Sequence, residues 1–238
     1  SPDGKRIAFD VNDGGGKGDI WIRDLVRGTT SRFTFDPERD FAPVWSPDGR
    51  RIVFTKALKI WDLYVKDAAG TGEPQALFAS DERKFPTDWS KDGAYVVFDS
   101  FGKDTGWDVW ALPLGGDKKP VPLVRTKFVE LNGSLSPDGR FLAYQSNETG
   151  QFEVYVQEFP EGRSKGQVST RGGFDPSWRG DGRELYYRTG DAKIMGVAIQ
   201  STPTFDAGTP QPVLQARFAP VTARGLYRPS PDGQRFLV

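Results

Sequence analysis

Histidine and cysteine are both absent from this sequence, and methionine occurs once in 238 residues. Without them no Ser-His-Asp or Cys-His nucleophilic arrangement can be built, and the usual ligand sets of zinc, haem and iron–sulfur centres are missing. No disulfide framework can form either. An excess of charge of one sign is lacking too: 32 Lys and Arg balance 32 Asp and Glu. That balance supplies none of the salt-dependent attraction of a nucleic-acid binder, so no nucleic-acid partner is expected. No apolar run approaches the roughly 18 residues that cross a bilayer, and no membrane span or targeting segment is read in these residues.

What the sequence has instead is a turn written six times. The copies are Ser1-Pro2-Asp3-Gly4, Ser46-Pro47-Asp48-Gly49, Ser90-Lys91-Asp92-Gly93, Ser136-Pro137-Asp138-Gly139, Arg179-Gly180-Asp181-Gly182 and Ser230-Pro231-Asp232-Gly233. The aspartates follow one another at steps of 45, 44, 46, 43 and 51 residues. Proline presets the second position of a tight turn, aspartate bonds back to local amides, and glycine accepts the left-handed backbone of a bulged hairpin.

The flanks repeat as well. Ahead of the turn stand Phe41 to Trp45, Phe85 to Trp89 and Phe174 to Trp178, with Phe seven residues and Trp three residues before the Asp. Behind it come short apolar runs such as Arg51-Ile52-Val53-Phe54 and Phe141-Leu142-Ala143-Tyr144, which read as largely buried strands. A third element opens on an acid: Asp19-Ile20-Trp21-Ile22, Asp62-Leu63-Tyr64-Val65, Asp108-Val109-Trp110-Ala111 and Glu153-Val154-Tyr155-Val156. Its fifth copy, Lys193 to Val197, has lost the acid and the aromatic. A weaker fourth run carries proline, as in Pro120-Val121-Pro122-Leu123-Val124, which suits an outer edge strand.

Four strands per period of about 45 residues define a propeller blade. The expected fold is therefore all-β, a β-propeller of four-stranded antiparallel blades, about five to six in number, with the first and last incomplete. One domain, residues 1–238, is expected, with repeats near 1–40, 41–84, 85–130, 131–173, 174–224 and 225–238. Because the sequence opens inside a repeat and closes in mid-strand, it reads as an excerpt of a longer chain. Residues 224–238 offer an inner strand for residues 5–34, but closure that way would fill the second-strand slot twice. An incomplete ring is the simpler expectation.

Carboxylates are the remaining catalytic resource, and Asp40, Glu130 and Asp175 fall where the channel mouth is expected. Their expected setting is that of solvated loop carboxylates, and no catalytic, cofactor-binding or metal-binding residue is assigned. The loop Val11 to Asp19 lacks the spaced acids of a calcium site, and no helix follows its glycines to make a phosphate loop. Trp61-Asp62 and Trp107-Asp108 open the third strand, whereas in WD-repeat propellers that dipeptide closes it.

Function is expected on the rim opposite the motif turns, where loops vary on a rigid scaffold. Those loops bring Arg39, Lys84, Lys127 and Arg171 beside the inner-strand starts, with Phe41, Phe85 and Phe174. A cationic ring of that kind favours a protein or peptide partner, or a small anionic ligand at the channel mouth.

The W-S-P-D-G turn, apolar strand and D-[IV]-[WY]-[IV] strand together resemble the TolB-like, also called WD-repeat-like, bacterial propellers over essentially the whole sequence. From Leu142 onward, Ala143 to Gly150, Glu153 to Pro160, Gln167 to Gly173 and Trp178 to Tyr187 are similar to the last blades of propellers in bacterial multidomain receptors. Many of those end transmembrane serine/threonine kinases, and others follow a winged-helix DNA-binding domain. The resemblance implies a non-catalytic sensing or protein-interaction module with a periplasmic or extracytoplasmic location. None of the kinase motifs occurs in these residues. The alternative is a propeller that gates substrate entry to a prolyl-oligopeptidase-type peptidase whose catalytic domain lies elsewhere.

Overall fold

A computed structural model of the chain describes residues 1–12, 14–201, 205–218 and 226–238. Asp13 of the glycine loop, and residues 224 and 225 of the segment offered for ring closure, lie outside the described residues. Among the described residues there are only strands, turns and bends, and no helix.

The first sheet holds β1 (Arg6–Asn12), β2 (Gly18–Asp24) and β3 (Thr30–Arg32). The second holds β4 (Arg39–Trp45), β5 (Arg51–Ala57), β6 (Trp61–Asp67) and β7 (Gln75–Phe78). In the third are β8 (Arg83–Trp89), β9 (Tyr95–Gly102), β10 (Gly106–Pro113) and β11 (Val121–Val124). The fourth comprises β12 (Glu130–Leu135), β13 (Phe141–Ser146), β14 (Glu153–Glu158) and β15 (Gly166–Gln167). The fifth runs β16 (Phe174–Trp178), β17 (Glu184–Arg188) and β18 (Lys193–Gln200), whose outer side is shared by β19 (Asp206–Ala207) and β20 (Gln211–Gln215). Last, β21 (Arg228–Pro229) pairs with β22 (Phe236–Leu237) as a two-stranded sheet.

Every pairing is antiparallel between sequence neighbours, apart from the split outer side of β18, so the fold is the β-propeller the repeats predict. Among the described residues the first sheet has no inner strand, and β21 pairs with β22. The second strands read as unbroken apolar runs because both of their faces are covered. Ile52 and Phe54 of β5 face Ile20 and Ile22 of the preceding blade, while Val53 joins Val96 and Phe98 of the following one. Next come Val97 with Leu142 and Tyr144, then Ala143 with Leu185 and Tyr187. Each side chain of this size, fully buried, contributes about 1.5–3 kcal/mol.

The motif turns are hydrogen-bonded alike. In the second copy, Ser46 Oγ donates to Asp48 Oδ1 at 2.5 Å and accepts the Arg51 N–H at 2.9 Å. The same serine pair of bonds is made by Ser1, Ser90, Ser136 and Ser230. Gly49 sits at φ 67°, a backbone that only glycine adopts without strain. In the fifth copy Arg179 replaces serine and grips Asp181 through two bonds of 2.7 Å, which lowers that carboxyl to about 2. The turns also touch in series. A Cβ built on Gly49 would lie 3.6 Å from Pro2, one on Gly93 3.8 Å from Pro47, and one on Gly182 3.5 Å from Pro137.

Each complete inner strand carries a bulge, seen as a register shift between Phe41 and Val44, Pro86 and Asp88, Leu131 and Ser134, and Phe174 and Ser177. At three of these bulges a left-handed residue, Ala42, Asn132 or Asp175, turns its N–H away from its own ladder. The preceding blade receives it through the fifth residue of its second strand. Ala42 donates to Asp10 at 3.3 Å, Asn132 to both oxygens of Asp99 at 3.1 Å, and Asp175 to Gln145 at 2.9 Å. Pro86 occupies the fourth position and has no N–H to give. There Thr55 takes the acceptor's place and donates its Oγ1 to the Lys84 carbonyl at 3.0 Å.

Candidate functional site

Inner and third strands start on the rim opposite the motif turns. The acid that opens each of the first four third strands has a task there: it holds the loops of that rim, including the one running to the next blade. Asp19 lies 2.7 Å from Arg32 and accepts a bond from Thr34 Oγ1 at 3.4 Å. Asp62 pairs with Lys84 at 2.8 Å and accepts the Ser80 N–H at 3.2 Å. Glu153 accepts bonds from Ser169 Oγ and, at 2.9 Å, from the Gly172 N–H. Asp108 accepts from Thr105 Oγ1 at 2.5 Å with Arg125 3.8 Å away, and burial pushes its carboxyl upward against both.

One of these latches absorbs a basic residue of the expected ring, and the four stand in different settings. Lys84 is fully buried and spent on Asp62. Arg39 is half-buried, with its guanidinium 4.7 Å over the Phe41 ring and 3.9 Å from Asp10. Lys127 is exposed beside its neighbour Phe128, and Arg171 is exposed with no ion pair among the described residues. The four therefore do not stand as one ring of free cations.

The phenylalanines divide as well. Phe174 packs on Phe152, with Arg188 over its face. Phe41 and Phe85 meet at 5.4 Å and enclose Trp61, 5.6 Å from one and 5.3 Å from the other. The chain of rings continues from Phe85 to Trp107 at 5.0 Å and from Trp107 to Phe101 at 5.1 Å. Arg83 lies 4.7 Å over Trp61. Trp61, Trp107, Phe101 and Arg83 are the residues that sequence reasoning missed. The available signal was the matched pair Trp61-Asp62 and Trp107-Asp108, which places two indoles at equivalent positions of adjacent blades.

Asp40, Glu130 and Asp175 are strand residues, almost wholly buried, and not solvated loop carboxylates. The inner strands start inside the rim, so their first residues are covered by the loops latched over them. Glu130 accepts Thr126 Oγ1 at 2.6 Å and Ser146 Oγ at 3.3 Å, and burial raises its carboxyl above the usual range. Asp175 pairs with Arg188 at 3.1 Å and accepts Asn132 Nδ2 at 2.7 Å. Among the described residues no donor meets either oxygen of Asp40 with full hydrogen-bond geometry, the Thr34 hydroxyl being the nearest influence of that kind. Burial, reinforced by Asp36 and Asp19, pushes its carboxyl up to about 7 against Thr34 and Lys56.

Inside the rim the inner strands enclose a channel of about 610 Å³, lined by Thr87, Asp88, Asn132, Asp175 and Arg228 among others. The carboxylate of Asp88 accepts the Trp89 and Leu135 N–H groups, each at 2.7 Å, and burial raises its pKa. Among the described residues no three acidic side chains gather as a metal site, and no helix is long and apolar enough to cross a membrane.

No protein-family model matches the sequence, and no curated protein does. The fold, by contrast, is widely shared, and its structural neighbours are TolB-like β-propellers. TolB from Acinetobacter baumannii superposes with a TM-score of 0.68 at 22% identity, over 90% of this chain and 53% of that one. A putative TolB from Agrobacterium tumefaciens gives 0.74 at 16% identity, over 90% of this chain and 78% of that one. An oligogalacturonate lyase solved in complex with manganese gives 0.66 at 14% identity, over 99% of this chain and 67% of that one. The chain thus spans about half the length of the Acinetobacter TolB, and at these identities the likeness is one of fold.

Proposed function

We propose that this propeller is a non-catalytic sensing or interaction module that binds a protein or peptide on the rim opposite its motif turns. Its setting is extracytoplasmic, either as the outer region of a bacterial receptor-type serine/threonine kinase or as a periplasmic scaffold. The observation that carries the reading is the run of contacting rings from Phe41 to Phe101 at that rim, across two blades, with Phe101 exposed. Aromatic residues with arginine are what binding hot spots are built from. The rim acids support the same reading. Asp19, Asp62, Asp108 and Glu153 hold loops in place, and Glu130 and Asp175 are each bonded to neighbouring residues.

Photo-crosslinking at single positions tests it. A photoreactive residue replacing Lys103 or Lys127 should capture a partner in the native host, while one replacing Lys91 or Arg183, beside the motif turns, should not. Equal capture from both rims would overturn the assignment of the face. Turnover of an oligosaccharide or peptide substrate by the purified chain would overturn the non-catalytic reading.

A further inference from the structure

The partner's chemistry can be read from what covers the aromatic rings, an inference that rests on the rim assignment just made. Ligands that stack on aromatic residues, such as sugars, need a bare ring face. Here two of the rings carry a cation on one face: the Arg39 guanidinium lies 4.7 Å over Phe41, and the Arg83 guanidinium 4.7 Å over Trp61. Those two rings are themselves in contact, 5.6 Å apart and edge to face, so the two stacked arginines belong to one aromatic cluster. A guanidinium stacked on a ring keeps its N–H fork free in its own plane, where it fits a carboxylate bidentately.

The forks are under-used within the chain. Arg83 is exposed and makes no ion pair among the described residues. Arg39 reaches its nearest carboxylate, Asp10, only at 3.9 Å, and its Nε is buried without a hydrogen-bond partner. Glu82, beside Arg83, is engaged by Ser100 Oγ at 2.6 Å. Past Trp107 the run of rings ends in Phe101, a residue 44% exposed.

We infer that this patch is a docking surface for an acidic peptide segment that carries an aromatic or bulky apolar residue beside its carboxylates. The carboxylates meet Arg39 and Arg83, and the apolar side chain lies on Phe101 and the edge of Trp107. A planar fork is required, so lysine at either arginine position cannot substitute.

Fluorescence anisotropy with labelled twelve-residue peptides tests this on the full chain. The probes are alternating aspartate–phenylalanine, asparagine–phenylalanine, aspartate–serine and lysine–phenylalanine. The aspartate–phenylalanine probe should bind at least tenfold tighter than the other three and weaken as salt is raised. Arg83→Lys and Arg83→Gln should each cost about tenfold without moving Tm, and Phe101→Ser should cost a similar factor; Arg39→Gln should act in the same direction. Equal binding of the aspartate and asparagine probes would sink the carboxylate inference while leaving the rim assignment standing. Binding that survives every variant would place the site elsewhere and sink both. Binding by none of the probes would overturn the inference.

Discussion

The two rims of this propeller are built to different rules. On the motif rim five turns repeat the same serine–aspartate hydrogen bonds, and neighbouring turns touch through glycine and proline. On the opposite rim the repeated element is a single acid on each of the first four third strands, and its partners vary: Arg32, Lys84, Thr105 with Arg125, and Ser169. One rim repeats residues, and the other repeats a role with residues of different kinds. Latch variety on a fixed frame is what lets surrounding side chains such as Arg83 and Phe101 differ without loss of the fold.

The largest test of that contrast lies on the variable rim itself. Lys84→Ala leaves Asp62 without its buried partner and should cost about 3–5 kcal/mol, read as a lowered urea midpoint. A loss under 1 kcal/mol would mean that the latch is ornamental. Next comes Asp40. Its folded carboxyl, raised to about 7, stays protonated while the unfolded one has already ionised, so its contribution falls as pH climbs from about 4 to 7. Asp40→Asn should therefore leave stability at pH 4 nearly unchanged and raise it by about 2 kcal/mol at pH 8. Denaturant melts at both pH values decide the matter, and a variant less stable at pH 8 contradicts it.

Smaller effects belong to the motif rim. Gly49→Ala forces a side chain into φ 67° and should cost about 1 kcal/mol. Asp48→Ala frees the Ser46 hydroxyl and the Arg50 N–H, and its effect should shrink in acid, because these two bonds hold the Asp48 carboxyl below the usual range. At the bottom of the scale, Lys127→Ala and Arg171→Ala should each change stability by less than about 0.5 kcal/mol, which thermal melts can check.

The frame was legible in the sequence because turn chemistry and apolar runs are local signals. Ser46 to Gly49 and Arg51 to Phe54 need only their neighbours to be read as a turn and a buried strand. The split outer side of β18 was not, since Pro212 and its short flanks resemble any loop. At the rim, Phe41 and Phe85 were found by their fixed distance from the motif aspartate. Lys84 misled because charge alone does not show burial, and the ion pair that absorbs it comes from Asp62, twenty-two residues away. Trp61 and Trp107 escaped because an indole at a strand start looks like core until the neighbouring blade is in place.

The clamps at the inner-strand bulges all point one way. Asp10, Thr55, Asp99 and Gln145 each reach forward to the blade that follows in sequence. The ring consequently has a sense of rotation written in hydrogen bonds as well as in connectivity. A blade removed from the carboxyl-terminal side leaves behind a polar side chain, which water can satisfy in place. One removed from the amino-terminal side strips the next inner strand of the group that holds its bulge open. Shortening this propeller is thus an asymmetric operation, more easily tolerated at its last blade than at its first.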